Sequence, residues 1–331
     1  MDCLNLSSHA SEDTCTWSIN STAGILAPYV DDRYIAACIL ALSTYLSFSL
    51  TAYEIERWRG TANSDTSIVN KLVLASSFVG FIYGIRIVLG LNVAFPDCKA
   101  YNYVGAATYA VSQSLIYTVL WARQRRFYAD PLLCQSVNKV LKMLSAVIIV
   151  LIYLVEFTVP FSIITYFCGL PTERGCVFVW DRTLIHSKAL PVMCASFVFC
   201  FVCQIALFFL ITHPLLAKKD DKPTNFCYAL CSEVHQDIFI MVKRLGSCAV
   251  ICVLASLVLH AVAVFDALGY ICVFWPNFMC LDLLVSNTSL TFTFIDWKQR
   301  LIPFSQCFLL KRTKKRAIPF HEDISNTARW T

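Results

Sequence analysis

The chain has 331 residues, 57% of them apolar and only 15% charged, with mean hydropathy +0.62 and net charge +5. A soluble domain carries about 25% charged residues, so the composition excludes an ordinary water-soluble fold. The positive excess sits beside apolar segments, where it meets anionic lipid, and it is no signature of nucleic-acid binding.

The first 33 residues are polar and carry two sequons, Asn5-Leu6-Ser7 and Asn20-Ser21-Thr22. They contain no apolar h-region, so no cleavable signal peptide is expected. Seven apolar segments follow, at Tyr34–Tyr53, Leu72–Leu91, Tyr103–Trp121, Met143–Phe167, Ala189–Leu210, Leu245–Leu268 and Ile271–Ile295. Each approaches the roughly 20 residues that cross a bilayer's hydrocarbon core as a helix. Helices are the spanning form expected here, because they satisfy their own backbone hydrogen bonds where lipid cannot. The expected fold is therefore an all-α membrane protein, a seven-helix bundle over residues 34–295. An N-terminal tail of residues 1–33 precedes it.

Between segments four and five, residues 168–188 contain Gly169, Pro171, Gly175 and Cys176, and are expected to form a short hairpin over the bundle mouth. Segments six and seven are joined by a few residues around Gly269-Tyr270, which makes them antiparallel neighbours. After segment seven, Trp297, Leu301, Phe304 and Phe308 fall on one helical face. Lys298, Arg300, Lys311, Arg312, Lys314, Lys315 and Arg316 supply the basic remainder. Residues 296–310 therefore read as an amphipathic surface helix, with Pro303 kinking or limiting it, and 311–331 as a basic tail. Cys307 sits where a juxtamembrane palmitate adds a second anchor.

Lys and Arg set the direction. Of the 27, Arg33, Lys99, Arg174, Arg182 and Lys188 fall on one side of the segments and Arg86 lies inside the second. All the others lie in residues 54–71, 122–142, 216–244 and 296–331. The positive-inside rule makes that side cytoplasmic and the N-terminus external, which also places Asn5 and Asn20 where glycans are added. Of the 17 cysteines, Cys3, Cys15, Cys98, Cys168 and Cys176 then face the oxidising side.

Seven helices, an external N-terminus and a basic surface helix after the seventh resemble the topology of G-protein-coupled receptors. The rhodopsin-like class keeps a cysteine at the outer mouth of segment three and an arginine twenty-five residues later. Here Cys98 and Arg123 have that separation. At 1.5 Å per residue it is about 37 Å, one crossing from interface to interface. Other echoes are fragmentary. Leu74-Ala75 matches a family pattern whose aspartate is here Phe78, and Asn287-Thr288-Ser289-Leu290-Thr291 stands where Asn-Pro-x-x-Tyr would. Segment four has no tryptophan, and segment six has no Cys-Trp-x-Pro. The resemblance implies a Cys98 bridge to the second outer loop, with Cys176 or Cys168 as partner. It also implies a heterotrimeric G protein as partner, met by Arg123, Arg125, Arg126, Lys243 and Arg244. The acid that holds the motif arginine is replaced by Ala122, and Asp237 is the favoured substitute over Glu233.

Ionisable groups inside a span cost about 2.5–3.5 kcal/mol on insertion scales, so they face the interior and find partners. This chain has Arg86, Glu156, His260, Asp266 and Asp282. An Arg86–Asp282 pair is expected, since segments two and seven are neighbours in the receptor fold. Glu156 and Asp266 lie nearer the outer ends and are expected to be wet, and His260 reads as a hydrogen-bonded core residue. On segment three, Tyr101, Thr108 and Ser112 share one face, and Tyr109, Gln113 and Tyr117 another. These stripes suit either a ligand cavity or interhelical bonding. Arg86, Tyr109, Gln113, Asp266 and Asp282 are the candidate contacts for an unidentified extracellular ligand. Segment seven has no lysine for a retinal Schiff base, and Gly105 stands where amine receptors place an acid.

The six histidines are scattered and form no His-x-x-x-His, so neither a metal-dependent enzyme nor any cofactor is expected. A transporter or channel lacks support, because no internal repeat and no paired broken helices occur. A non-signalling membrane scaffold shares every feature except a response. The reading is a multi-pass plasma-membrane receptor whose basic inner side also lies on anionic lipid.

Overall fold

In a computed structural model the described residues are 26–60, 68–93, 97–129, 138–164, 167–172, 175–180, 190–218, 228–267, 275–294 and 296–302. Asn5, Asn20 and Cys307 lie outside them, as do the side chains of Cys176, Asp237 and Asp266.

Among the described residues the chain is helical, with one small hairpin. The helices are α1 (Leu26–Gly60), α2 (Ile68–Asn92), α3 (Cys98–Ala129), α4 (Lys139–Ile164), α5 (Leu190–Lys218), α6 (Tyr228–Ala267), α7 (Trp275–Phe292) and the short α8 (Trp297–Leu301). Between α4 and α5, β1 (Phe167–Thr172) runs antiparallel to β2 (Gly175–Trp180), with Pro171 opposite Cys176. The hairpin lies against α2 and α3.

Helices α1 and α3 run well past their apolar segments at both ends, and α6 and α8 differ from the sequence reading in length for physical reasons. Helix α6 starts at Tyr228, well before its apolar segment, because residues 228–244 carry no proline or glycine to stop it. Helix α8 covers five residues and ends just before Ile302 and Pro303, since the residue before a proline is pushed out of helical geometry.

The long helices form a closed ring. Each packs on the next, and α7 returns to α1 and α2. Helix α3 also reaches α5 and α7, so it runs through the middle. One end of the ring holds Cys98 and the hairpin, and the other holds α8.

The ring buries polar side chains among an apolar core and turns a broad apolar belt outward. Ser47, Ser76, Ser77, Ser112, Gln113, Gln204, Ser256 and Asn287 are buried, whereas Leu42, Phe48, Phe78, Val104, Val150, Leu154, Val202, Leu254 and Val258 are exposed. Water tolerates no such wide apolar belt, and lipid requires one. Four helical stretches are long and apolar enough to cross a membrane: Asp32–Trp58, Ile68–Asn92, Lys139–Ser162 and Lys243–Val262. The protein is thus a multi-pass membrane protein. Helix α3 falls outside that set because its inward polar stripe lowers its hydropathy.

Small residues let α2 and α3 approach closely. A Cβ on Gly90 would stand 1.9 Å from the Tyr101 hydroxyl, and one on Gly105 would stand 2.1 Å from the Arg86 guanidinium carbon. Interhelical contact through small residues is what a membrane interior favours, since lipid supplies no hydrophobic drive between helices.

Candidate functional site

The polar side chains fall into layers along α3. Nearest the Cys98 end is Arg86. Its Nε and Nη2 donate to the Tyr101 carbonyl at 3.1 and 2.8 Å, and its guanidinium lies 3.9 Å from the Tyr101 ring centre. The glycine at position 105 leaves the space that this guanidinium fills. Cys98 itself is disulfide-bonded.

One turn further along α3 is Tyr109, whose ring packs 6.1 Å from that of Tyr83. Its hydroxyl donates to Asp282 Oδ2 at 2.9 Å, and Gln113 Nε2 donates to the same oxygen. Asp282 is 4% exposed. The expected Arg86–Asp282 ion pair does not form. Arg86 is taken up by Tyr101, the nearer partner across the α2–α3 contact, and Asp282 is taken up by α3. Glu156 is half-buried on α4 rather than wet.

Below this layer Ser76 donates to Asn287 Oδ1 at 2.8 Å, which ties α2 to α7. Gln204 donates to the Tyr117 hydroxyl and to Ser256 Oγ, the latter at 3.2 Å, joining α3, α5 and α6. His260, half-buried, brings Nδ1 to 2.7 Å from the Ser256 carbonyl one turn back in its own helix. Of the two α3 stripes, Tyr109, Gln113 and Tyr117 are buried among other helices, whereas Thr108 bonds its own backbone.

At the α8 end Arg123 is buried, 6% exposed. It donates to Thr293 Oγ1, and its guanidinium lies 4.0 Å from the Phe294 ring centre. Both partners belong to the turn after α7, where Thr293 also bonds the Leu290 carbonyl. Arg125 and Arg126 are exposed, with Arg125 over the Trp121 ring, and Lys243 is exposed on α6. Arg244 donates to the Phe294 carbonyl at 3.3 Å.

Arg300, expected as one of the basic residues off the apolar face of the surface helix, is not on an outer basic face. It points inward and is 4% exposed. Its Nε donates to Asp296 at 2.8 Å, its Nη1 lies 3.8 Å from Glu54, and its Nη2 bonds Asn70 at 3.4 Å. The same guanidinium lies 3.6 Å from the Phe294 ring centre. Tyr53 donates to the other oxygen of Asp296. Burial disfavours the ionised Asp296 carboxylate, but the hydrogen bonds from Arg300 and Tyr53 and the charge of Arg300 outweigh it and hold its pKa below the usual range.

Sequence reasoning missed Thr293, Phe294, Glu54 and Asn70. The one legible signal was the i,i+4 spacing of Asp296 and Arg300. Among the described residues no cluster of three or more His, Cys, Asp or Glu side chains is placed to hold a metal ion.

No protein-family profile matches the chain, and no curated protein matches it significantly.

Proposed function

We propose that this protein is a seven-span plasma-membrane receptor, coupled to a heterotrimeric G protein, with its N-terminus outside and the α8 end in the cytoplasm. One observation carries the reading: Arg123, at the opposite end of the central helix from disulfide-bonded Cys98, is buried against the residues that follow α7. A cation whose exposure depends on how α3 and α7 pack is what a two-state partner switch needs.

In this reading an extracellular ligand enters at the Cys98 end, where Arg86, Tyr109, Gln113, Asp266 and Asp282 form its surroundings. A Cys98–Cys176 bridge ties the hairpin to α3. Glycans stand on Asn5 and Asn20. Arg123, Arg125, Arg126, Asp237 and Lys243 meet the G protein, while Cys307 carries palmitate and the basic tail lies on anionic lipid.

The test is activation of a panel of G-protein classes in cells expressing the chain, basally and under a ligand screen. Activation of at least one class, altered by Arg123→Ala, supports the reading. No activation of any class removes it. The buried Asp282 and the half-buried Glu156, both within membrane segments, favour a second reading, an ion channel or transporter, and current recording from the same cells separates the two.

A further inference from the structure

We propose that Arg123 of α3 and Arg244 of α6 bind a phosphate group at the α8 end of the ring, beside the turn that follows α7. Both guanidiniums meet that turn at one residue. Arg123 lies 4.0 Å from the Phe294 ring centre and donates to the Thr293 hydroxyl, and Arg244 donates to the Phe294 carbonyl at 3.3 Å. Helices α3 and α6 thus bring two cations to one point of the chain.

Neither cation meets an acid. The ion pairs among the described residues are Arg57–Glu54, Arg300–Glu54 and Arg300–Asp296, and none includes Arg123 or Arg244. Arg300, the third guanidinium at Phe294, takes up both Glu54 and Asp296. Arg123 is 6% exposed, and its one hydrogen bond among the described residues goes to a neutral hydroxyl. The face of the Phe294 ring answers part of its charge. A cation buried this deeply is ordinarily paired with an anion as well. A guanidinium keeps its proton inside a protein, so loss of charge cannot relieve it.

Phosphate follows from the number and kind of the donors. Each guanidinium offers five N–H donors in a planar fork, and the bonds to Thr293 and Phe294 leave most of them over. Such forks bind two oxygens of one phosphate side by side. Two unanswered cations also match the charge of a phosphate monoester, about −1.5 to −2 at neutral pH. Arg244 is half-buried and Lys243 beside it is exposed, so the site has an open edge. Inorganic phosphate and the monoester headgroup of a lipid share this chemistry, and the experiment distinguishes them. The receptor reading also uses Arg123, but the site needs no G-protein coupling. Its test reads binding to the protein alone, so its failure leaves the receptor reading standing, and the reverse holds too.

The experiment uses the full chain in lipid nanodiscs at neutral pH and fixed ionic strength. In one arm the lipid is phosphatidylcholine, and millimolar inorganic phosphate is compared with chloride. In the other no phosphate is added, and phosphatidic acid is compared with the same content of phosphatidylglycerol, which is anionic without a monoester. Phosphate or phosphatidic acid is expected to raise Tm by about 2 °C or more over its control, because a ligand of the folded state stabilises it by mass action. A response in the first arm alone marks a soluble anion, and a response in the second alone marks a lipid headgroup. Arg123→Gln should abolish the response and Arg244→Gln should weaken it. Lys298→Gln, which removes an exposed charge from α8, should keep it. Equal Tm within both arms overturns the proposal, as does an Arg123→Gln variant that responds like the wild type. Should Arg123→Gln not fold, Arg244→Gln decides. A response reduced there but kept in Lys298→Gln supports the site, and an equal response in both variants overturns it.

Discussion

The guanidinium carbon of Arg123 lies 4.0 Å from the centre of the Phe294 ring, and that of Arg300 lies 3.6 Å from the same ring. Two cations that repel each other are thus held over one aromatic side chain in the turn that follows α7. Each such contact contributes about 0.5–2 kcal/mol, more when water is excluded. Phe294→Leu keeps the bulk and removes the ring. In the receptor reading it is expected to free Arg123 from α7, raising basal G-protein activation by about twofold or more, on the smaller end of that energy range. Basal activation at matched surface expression is the measurement.

Arg300 joins α1, α2 and α8 through Glu54, Asn70 and Asp296. Its side chain is 5% exposed and that of Glu54 10%. Removing one partner of a buried ionic network costs about 3–5 kcal/mol, because the other charges stay buried. Arg300→Ala should therefore lower Tm sharply, and Glu54→Gln in the same background should recover part of the loss. A thermal double-mutant cycle checks both.

The lowered pKa of Asp296 fixes the sign of a pH effect. A carboxylate whose folded-state pKa is depressed stabilises the fold fully above the ordinary aspartate range, about pH 4. That contribution fades as pH falls through the lower folded-state value. Asp296→Asn is expected to be less stable than wild type near neutral pH and to lose less Tm on acidification. The two Tm-against-pH curves should converge at the acid end.

Glycine replacements at two positions should have opposite signs. At Gly246 an added Cβ meets Phe208 at 3.8 Å, an ordinary contact, so Gly246→Ala should gain up to about 1 kcal/mol of helix propensity. At Gly90 the added Cβ meets the Tyr101 hydroxyl, which is fixed on a rigid ring and donates to the Arg86 carbonyl. Gly90→Ala should lose about 1–3 kcal/mol to overpacking. Paired Tm measurements test the contrast.

The fold was legible where lipid dictates it: apolar runs set the helices. The partners inside the ring were less legible. Asp282 and Arg86 are both interior, yet each finds a nearer polar group, because α3 brings its own hydroxyl and amide to Asp282 and its own carbonyl to Arg86. Arg300 looked like one basic residue among many on a surface helix. Only the packing of α8 on α1 turns it inward, and pattern reading does not see which face a five-residue helix presents. Thr293 and Phe294 were invisible for the same reason: they lie in a turn, where no periodicity marks them.

The receptor reading requires an odd number of crossings, with the two ends of the chain on opposite sides of the membrane. Epitope tags at the N- and C-termini, probed on intact and then on permeabilised cells, test this most directly. The N-terminal tag is expected to bind antibody on intact cells, with glycans on Asn5 and Asn20 removable by glycosidase. The C-terminal tag is expected to bind only after permeabilisation. Both tags exposed, or both hidden, on intact cells would contradict a seven-span chain.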